Sequence, residues 1–265
     1  MAAKNMVVLF DESGTPTIKD DPRTDWFLGV GIAYEQSAEK MIFSRCKDAC
    51  GLANSRPLKN DRIENSRAVC ITKLLADLPV SIFVSHVNTV DPKYREIIVA
   101  YERFGNKVRE SRQVGERPIA QIIHSNILSH CLFHLVTGYF EQGGDDAAFS
   151  VFIDNWSISP NDIDISLSFR SESLYESILS LHRRFPPEGQ FVSIKPLELL
   201  TKDSSRKRFV DVVASIFSRA YLKKDNQRYS CEAADILREC GKASCSDATQ
   251  YLINFMQTVM QESQN

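Results

Sequence analysis

Five short runs rich in branched and aromatic residues, Met6 to Phe10, Trp26 to Ala33, Val80 to Val87, Phe149 to Ile153 and Gln190 to Ile194, recur along this chain at strand length. Between them the apolar residues take helical spacing, over Ser37 to Cys50, Arg62 to Leu78, Lys93 to Asn106, Ile119 to Phe140, Glu172 to Arg184, Arg206 to Leu222 and Asp247 to Gln261. Strands interleaved with helices imply an α/β or α+β sheet domain. Glycine and proline cluster at Gly14 to Pro16, Gly115 to Pro118, Gly143-Gly144 and Pro186-Pro187, and none of these stretches is long enough to be an interdomain linker. The chain therefore reads as one sheet domain over 1–229. Two helices within about 88–148 form an insert, and 230–265 form a C-terminal helical extension. In that tail Ser246-Asp247 is a helix-start signal, and Tyr251, Leu252, Phe255 and Val259 follow at helical spacing. Such a face suits docking on the body, on a protein partner or on a second copy.

Composition narrows the class. Hydrophobic residues make up 43% and charged residues 25% of the chain, ordinary values for a globular protein that suggest neither disorder nor a repeat architecture. The apolar run before Asp11 is too short for a signal-peptide core. Pro118 to Phe140, the most lipid-like segment, is interrupted by Gln121, His124, Asn126, His130 and His134, so it reads as a buried helix and no membrane span is expected. Seven dispersed cysteines suit reduced thiols in the cytoplasm, and neither Cys46/Cys50 nor Cys240/Cys245 has zinc-knuckle spacing. His130 and His134 share a helical face with His124 near them, but no glutamate stands between them as in a zincin, so they read as polar packing residues. Nucleophile-elbow, phosphate-loop and dinucleotide fingerprints do not occur.

The chemistry-bearing signal is a repeated motif: an apolar strand that ends in a carboxylate. Met6 to Phe10 runs into Asp11-Glu12-Ser13-Gly14, and Phe149 to Ile153 runs into Asp154. Neighbouring strands lie about 4.8 Å apart, close enough for two such carboxylates to bridge hard cations. A third acid, Asp211, is embedded in Phe209-Val210-Asp211-Val212-Val213. A charge among so many apolar neighbours requires a partner, either a cation shared with Asp11 and Asp154 or a salt bridge to Arg208 or Arg219. Net charge is −2, yet Lys195 to Arg228 holds nine Lys/Arg against four Asp/Glu. That stretch reads as a solvated helix face or as a track for phosphates.

These residues resemble the bacterial family known as domain of unknown function thirty-eight hundred. The likeness is carried by Asp11-Glu12-Ser13-Gly14 after the first strand and by Val210-Asp211-Val212 after Asp203-Ser204. Trp26 to Ala33, Leu58-Lys59 and Ile153-Asp154 extend it over about Met6 to Tyr221. The resemblance implies an RNase H-like fold: a mixed five-stranded sheet flanked by helices, whose first strand, a later neighbouring strand and last helix gather carboxylates. By that resemblance Asp11, Asp154 and Asp211 are catalytic metal ligands for Mg²⁺ or Mn²⁺, and Glu12 is an accessory catalytic acid. Lys59 is a phosphate contact, and Lys202, Arg206, Lys207 and Arg208 track a nucleic-acid backbone, RNA or DNA. Many members carry a glutamate two residues before the lysine, where this chain has Pro57; Asp61 and Glu64 are the nearest acids and also fit a helix-capping pair. Two readings follow: a divalent-metal-dependent nuclease-like hydrolase of phosphodiester bonds, or a non-catalytic RNase H-like scaffold in a bacterial defence or mobile-element system.

Overall fold

In a computed structural model of the chain, residues 3–14, 26–50, 65–112, 119–154, 191–195, 197–201, 204–221 and 228–262 are described. The expected helix over Glu172 to Arg184 lies outside them, as do Pro57, Lys59, Asp61, Glu64 and Lys202. The strands are β1 (Lys4–Ser13), β2 (Trp26–Glu35), β3 (Ser81–Asn88), β4 (Ala147–Ile153), β5 (Val192–Ile194), β6 (Glu198–Leu199) and β7 (Ala243–Asp247). The helices are α1 (Glu39–Cys46), α2 (Asn65–Ala76), α3 (Pro92–Arg112), α4 (Ile119–Glu141), α5 (Ser205–Tyr221), α6 (Arg228–Glu239) and α7 (Thr249–Glu262).

All seven strands join one sheet in the order β5-β4-β1-β2-β3-β7, with β6 pairing on β4 beyond β5. Only β2 runs against its neighbours. The order β3-β2-β1-β4-β5 with the second strand reversed is the RNase H-like arrangement, so the implied fold is present. The sheet is larger than the five strands expected. The C-terminal segment is not helical alone: it inserts β7 parallel to β3, pairing Ile82 with Ala243 and His86 with Asp247.

The central strands are apolar throughout because both faces are covered. On one face Val7 and Leu9 of β1 meet Phe209, Val213 and Phe217 of α5, together with apolar residues of α2 and α6. On the other, Met6, Val8 and Phe10 meet Ile123, Ile127 and Cys131 of α4, with α3 and α7 beyond. The helices between β3 and β4 thus supply a core layer. Gly29 of β2 lets α4 close in: a Cβ there would lie 2.3 Å from Cγ2 of Ile127 and 2.9 Å from Cζ of Phe10. α3 starts where Asp91 accepts hydrogen bonds from the Lys93 and Tyr94 amides, with Pro92 in the first turn. α7 docks on the body through Leu252, Ile253 and Met256. Among the described residues no helix is long and apolar enough to cross a membrane.

The histidines of α4 pack as expected. His130 is hydrogen-bonded to the Ser85 hydroxyl at 2.9 Å, and His134 stacks on Phe83 with centroids 4.3 Å apart. Burial first, and then its neighbours His134 and His86, pushes the His130 imidazole down to about 4 from an ordinary 6.5. Between those values the unfolded chain takes up a proton that the folded chain refuses, so stability rises with pH across the window and is lost on acidification. Urea unfolding is expected to give about 2 kcal/mol less stability at pH 5 than at pH 7 from this group. His130→Gln should flatten the profile, and superimposable profiles for the two proteins would contradict the assignment.

Candidate active site

Residue alternation along β1 decides which side chains can meet. Val7 and Leu9 face α5, so Asp11 and Ser13 continue on that side, whereas Glu12 follows Phe10 toward α4. β4 is parallel to β1 with Leu9 opposite Phe152 and Phe10 opposite Ile153, so Asp154 stands one step further, beside Asp11. Phe152 lies in the same half of the core as Leu9, which puts Asp154 on the α5 side as well. α5 begins at a cap in which the Ser204 hydroxyl accepts the Lys207 amide at 3.2 Å. That start places Lys207 and Asp211, one turn apart, over the carboxyl ends of β1 and β4.

The three aspartates converge on a cation supplied by the chain. Lys207 Nζ lies 2.5 Å from Asp154 Oδ2, 2.5 Å from Asp211 Oδ1 and 3.9 Å from Asp11 Oδ1. Its side chain is 16% exposed and that of Asp11 15%. Lys207 therefore points into the cluster rather than along an external phosphate track, and Asp211 is paired with Lys207 rather than with Arg208 as one sequence alternative had it. The side chain of Arg219 lies outside the described residues.

Arg206 is engaged too. Its Nε and Nη2 both lie 2.8 Å from Glu39 Oε2, which also accepts the Tyr34 hydroxyl at 2.8 Å. The Arg206 guanidinium covers the Phe152 ring at 4.1 Å. Arg208 is half-buried at the start of α5. Of the expected basic track, Arg206 is thus engaged with the body and Lys207 with the acid cluster.

The negative charge of the cluster exceeds what one ammonium neutralises. Burial pushes the Asp11 carboxyl well above the ordinary carboxylate range; Lys207 opposes this, and Asp211, Glu12 and Asp154 add to it. Burial likewise raises Asp211 against the pull of Lys207. Lys207 itself is held above the usual lysine value, because the attraction of the three carboxylates outweighs the cost of its burial. The site is part-buried and acid-rich, its donors are hard oxygens of the kind that suit divalent cations, and the Lys207 ammonium occupies the point where they meet. Among the described residues no group of three acidic, imidazole or thiol side chains is arranged to hold a metal as it stands.

Glu12 does not join the aspartates. On the opposite face its Oε1 lies 2.8 Å from His124 Nδ1, with the two side chains 4% and 1% exposed, and His124 packs edge-on against Phe27. This pair and the contact between the hydroxyls of Ser13 and Ser218, at 2.7 Å, fasten the end of β1 to α4 and α5 respectively. Gly14 follows with φ +95, and a Cβ there would stand 2.4 Å from the Trp26 carbonyl oxygen. The turn therefore needs glycine. Sequence reasoning missed Lys207 as the centre of the cluster, as well as His124 and Glu39. For Lys207 the signal was its i,i+4 spacing to Asp211.

No protein-family model matches the chain, and no curated protein matches it. Among solved structures it is similar to a mutant protein of Bst-RNase HIII, at 10% identity and a TM-score of 0.37, over 89% of this chain and 67% of that one. The fold assignment rests on the strand order above, and that likeness adds no argument about the site.

Two outcomes test this geometry. The folded state disfavours ionised Asp11, so stability falls as pH rises from the ordinary carboxylate range through the raised value. Asp11→Asn is accordingly expected to stabilise the protein by about 1 kcal/mol or more at pH 8 in the presence of a chelator, read by thermal unfolding; a lower midpoint would mean that the carboxylate is stabilised in place. Glu12→Ala removes one member of a buried pair and should cost about 3 kcal/mol in urea unfolding, whereas a loss under about 0.5 kcal/mol, the range of ordinary surface substitutions, would discount the pair.

Proposed function

We propose that the chain is a divalent-metal-dependent hydrolase of phosphodiester bonds in RNA or DNA and a member of the domain of unknown function thirty-eight hundred family. The observation that carries the reading is the meeting of Asp11, Asp154 and Asp211, distant in sequence, around one cation at the carboxyl ends of parallel strands. The site lies between β1 and β4, where the chain's path across the sheet reverses: β2 and β3 lie to one side, β5 and β6 to the other. Open α/β sheets bind ligands at such a switch point.

Asp11, Asp154 and Asp211 would hold Mg²⁺ or Mn²⁺. When bound, such an ion supplies an activated water and charge stabilisation for the leaving oxygen of a phosphodiester. The protein's own contribution is placement: sheet pairing sets Asp11 against Asp154, and α5 brings Asp211 over both. Partial burial around the cluster strengthens its electrostatics by limiting solvent screening. Glu12 is read as a positioning residue that anchors β1 through His124.

Cleavage of RNA or DNA substrates in Mn²⁺ or Mg²⁺ is expected to fall by at least about a thousandfold in Asp154→Asn, as for loss of an electrostatic group in a catalytic centre. Wild-type rates in that variant would refute the reading. The filling of the cluster by Lys207 favours the second reading, a non-catalytic RNase H-like scaffold. Its mark would be an intact fold that binds no Mn²⁺ at millimolar concentration in calorimetry.

A further inference from the structure

We infer that Lys207 sets the affinity of the acid cluster for divalent ions, as an internal cation that a metal must displace. The inference rests on the metal-dependent reading above and concerns what limits binding at that site. The ammonium occupies the point from which the carboxylates of Asp11, Asp154 and Asp211 are all within 3.9 Å. A divalent ion among the same oxygens and the ammonium exclude one another through volume and like charge.

The position of Lys207 in α5 strengthens the argument. The start of a helix carries partial positive charge, so a cation in the first turn is disfavoured unless something compensates it. Arg206, its neighbour, is compensated by Glu39 outside the cluster. Lys207 is compensated by the aspartates themselves, so whatever competes for those carboxylates competes with Lys207. An ammonium offsets one negative charge of the cluster and a divalent ion two, so a metal at sufficient concentration competes with Lys207 for the same oxygens. The flexible four-carbon stem allows the ammonium to withdraw without movement of the α5 backbone, which a rigid guanidinium fork held bidentately would resist.

Calorimetric titration with Mn²⁺ should show Lys207→Met binding at least tenfold more tightly than wild type. Equal or weaker binding by a folded Lys207→Met, with wild type still binding, would overturn the internal-cation role and leave the metal reading standing. Absence of binding by both folded proteins would overturn the metal reading and this inference together. A second measurement needs no variant. Reductive methylation of wild-type protein, followed by peptide mass spectrometry, should label Lys207 faster in Mn²⁺ than in chelator, and labelling unchanged by Mn²⁺ would contradict displacement.

Discussion

The parallel pairing of β1 with β4 is the constraint on which the rest of the molecule depends. A slip of one residue in a strand moves every side chain to the opposite face. Here Val8 stands against Val151 and Phe10 against Ile153. A single step of slip in β1 would bury Asp11 against α4 and send Glu12 toward α5, while every apolar residue of the strand changed sides. The register that packs Leu9 under α5 and Phe10 under α4 is therefore the register that presents Asp11 beside Asp154. Core packing and site assembly have one cause.

That coupling carries an energetic tension. The same apolar layers that fix the register withdraw water from the acids, and burial is the leading reason that Asp11 and Asp211 resist ionisation. Lys207 relieves part of the tension, at the cost of a cation set against the dipole of α5. Around it the Arg206–Glu39–Tyr34 network and the Ser13–Ser218 hydroxyl contact tie α5 down from two sides.

Much of this was legible in the residues. Buried strands announce themselves as continuous apolar runs, which makes β1 to β4 legible, while β5, buried only at Val192, shows by its branched residues; a carboxylate at the end of an apolar run has to sit at the sheet rim. Asp211 stood out because a charge among valines needs a partner. β7 was missed for the opposite reason: Ala-Ser-Cys-Ser-Asp has no large branched or aromatic residue, and its pairing with β3 comes from tertiary context. β6, of two residues, is below what any periodicity can register. From sequence Lys207 belongs to an Arg-Lys-Arg run expected to track a nucleic-acid backbone; its turn into the acid cluster is not legible there, since the direction of a long side chain depends on where the helix is docked. The separation of Glu12 from Asp11 was available in principle, because adjacent residues on a strand cannot share a face.

The placement of β7 has a bearing on solubility. Without it β3 would present Ile82, Phe83 and Val84 along an open sheet margin, a ready template for pairing with another molecule. The late segment of the chain folds back to occupy that margin with a short, largely hydroxyl- and carboxylate-bearing strand, which offers little for a further chain to grow on. The chain thus shields an aggregation-prone border with residues from its own far end, leaving the acid-bearing rim between β1 and β4 unencumbered by that safeguard.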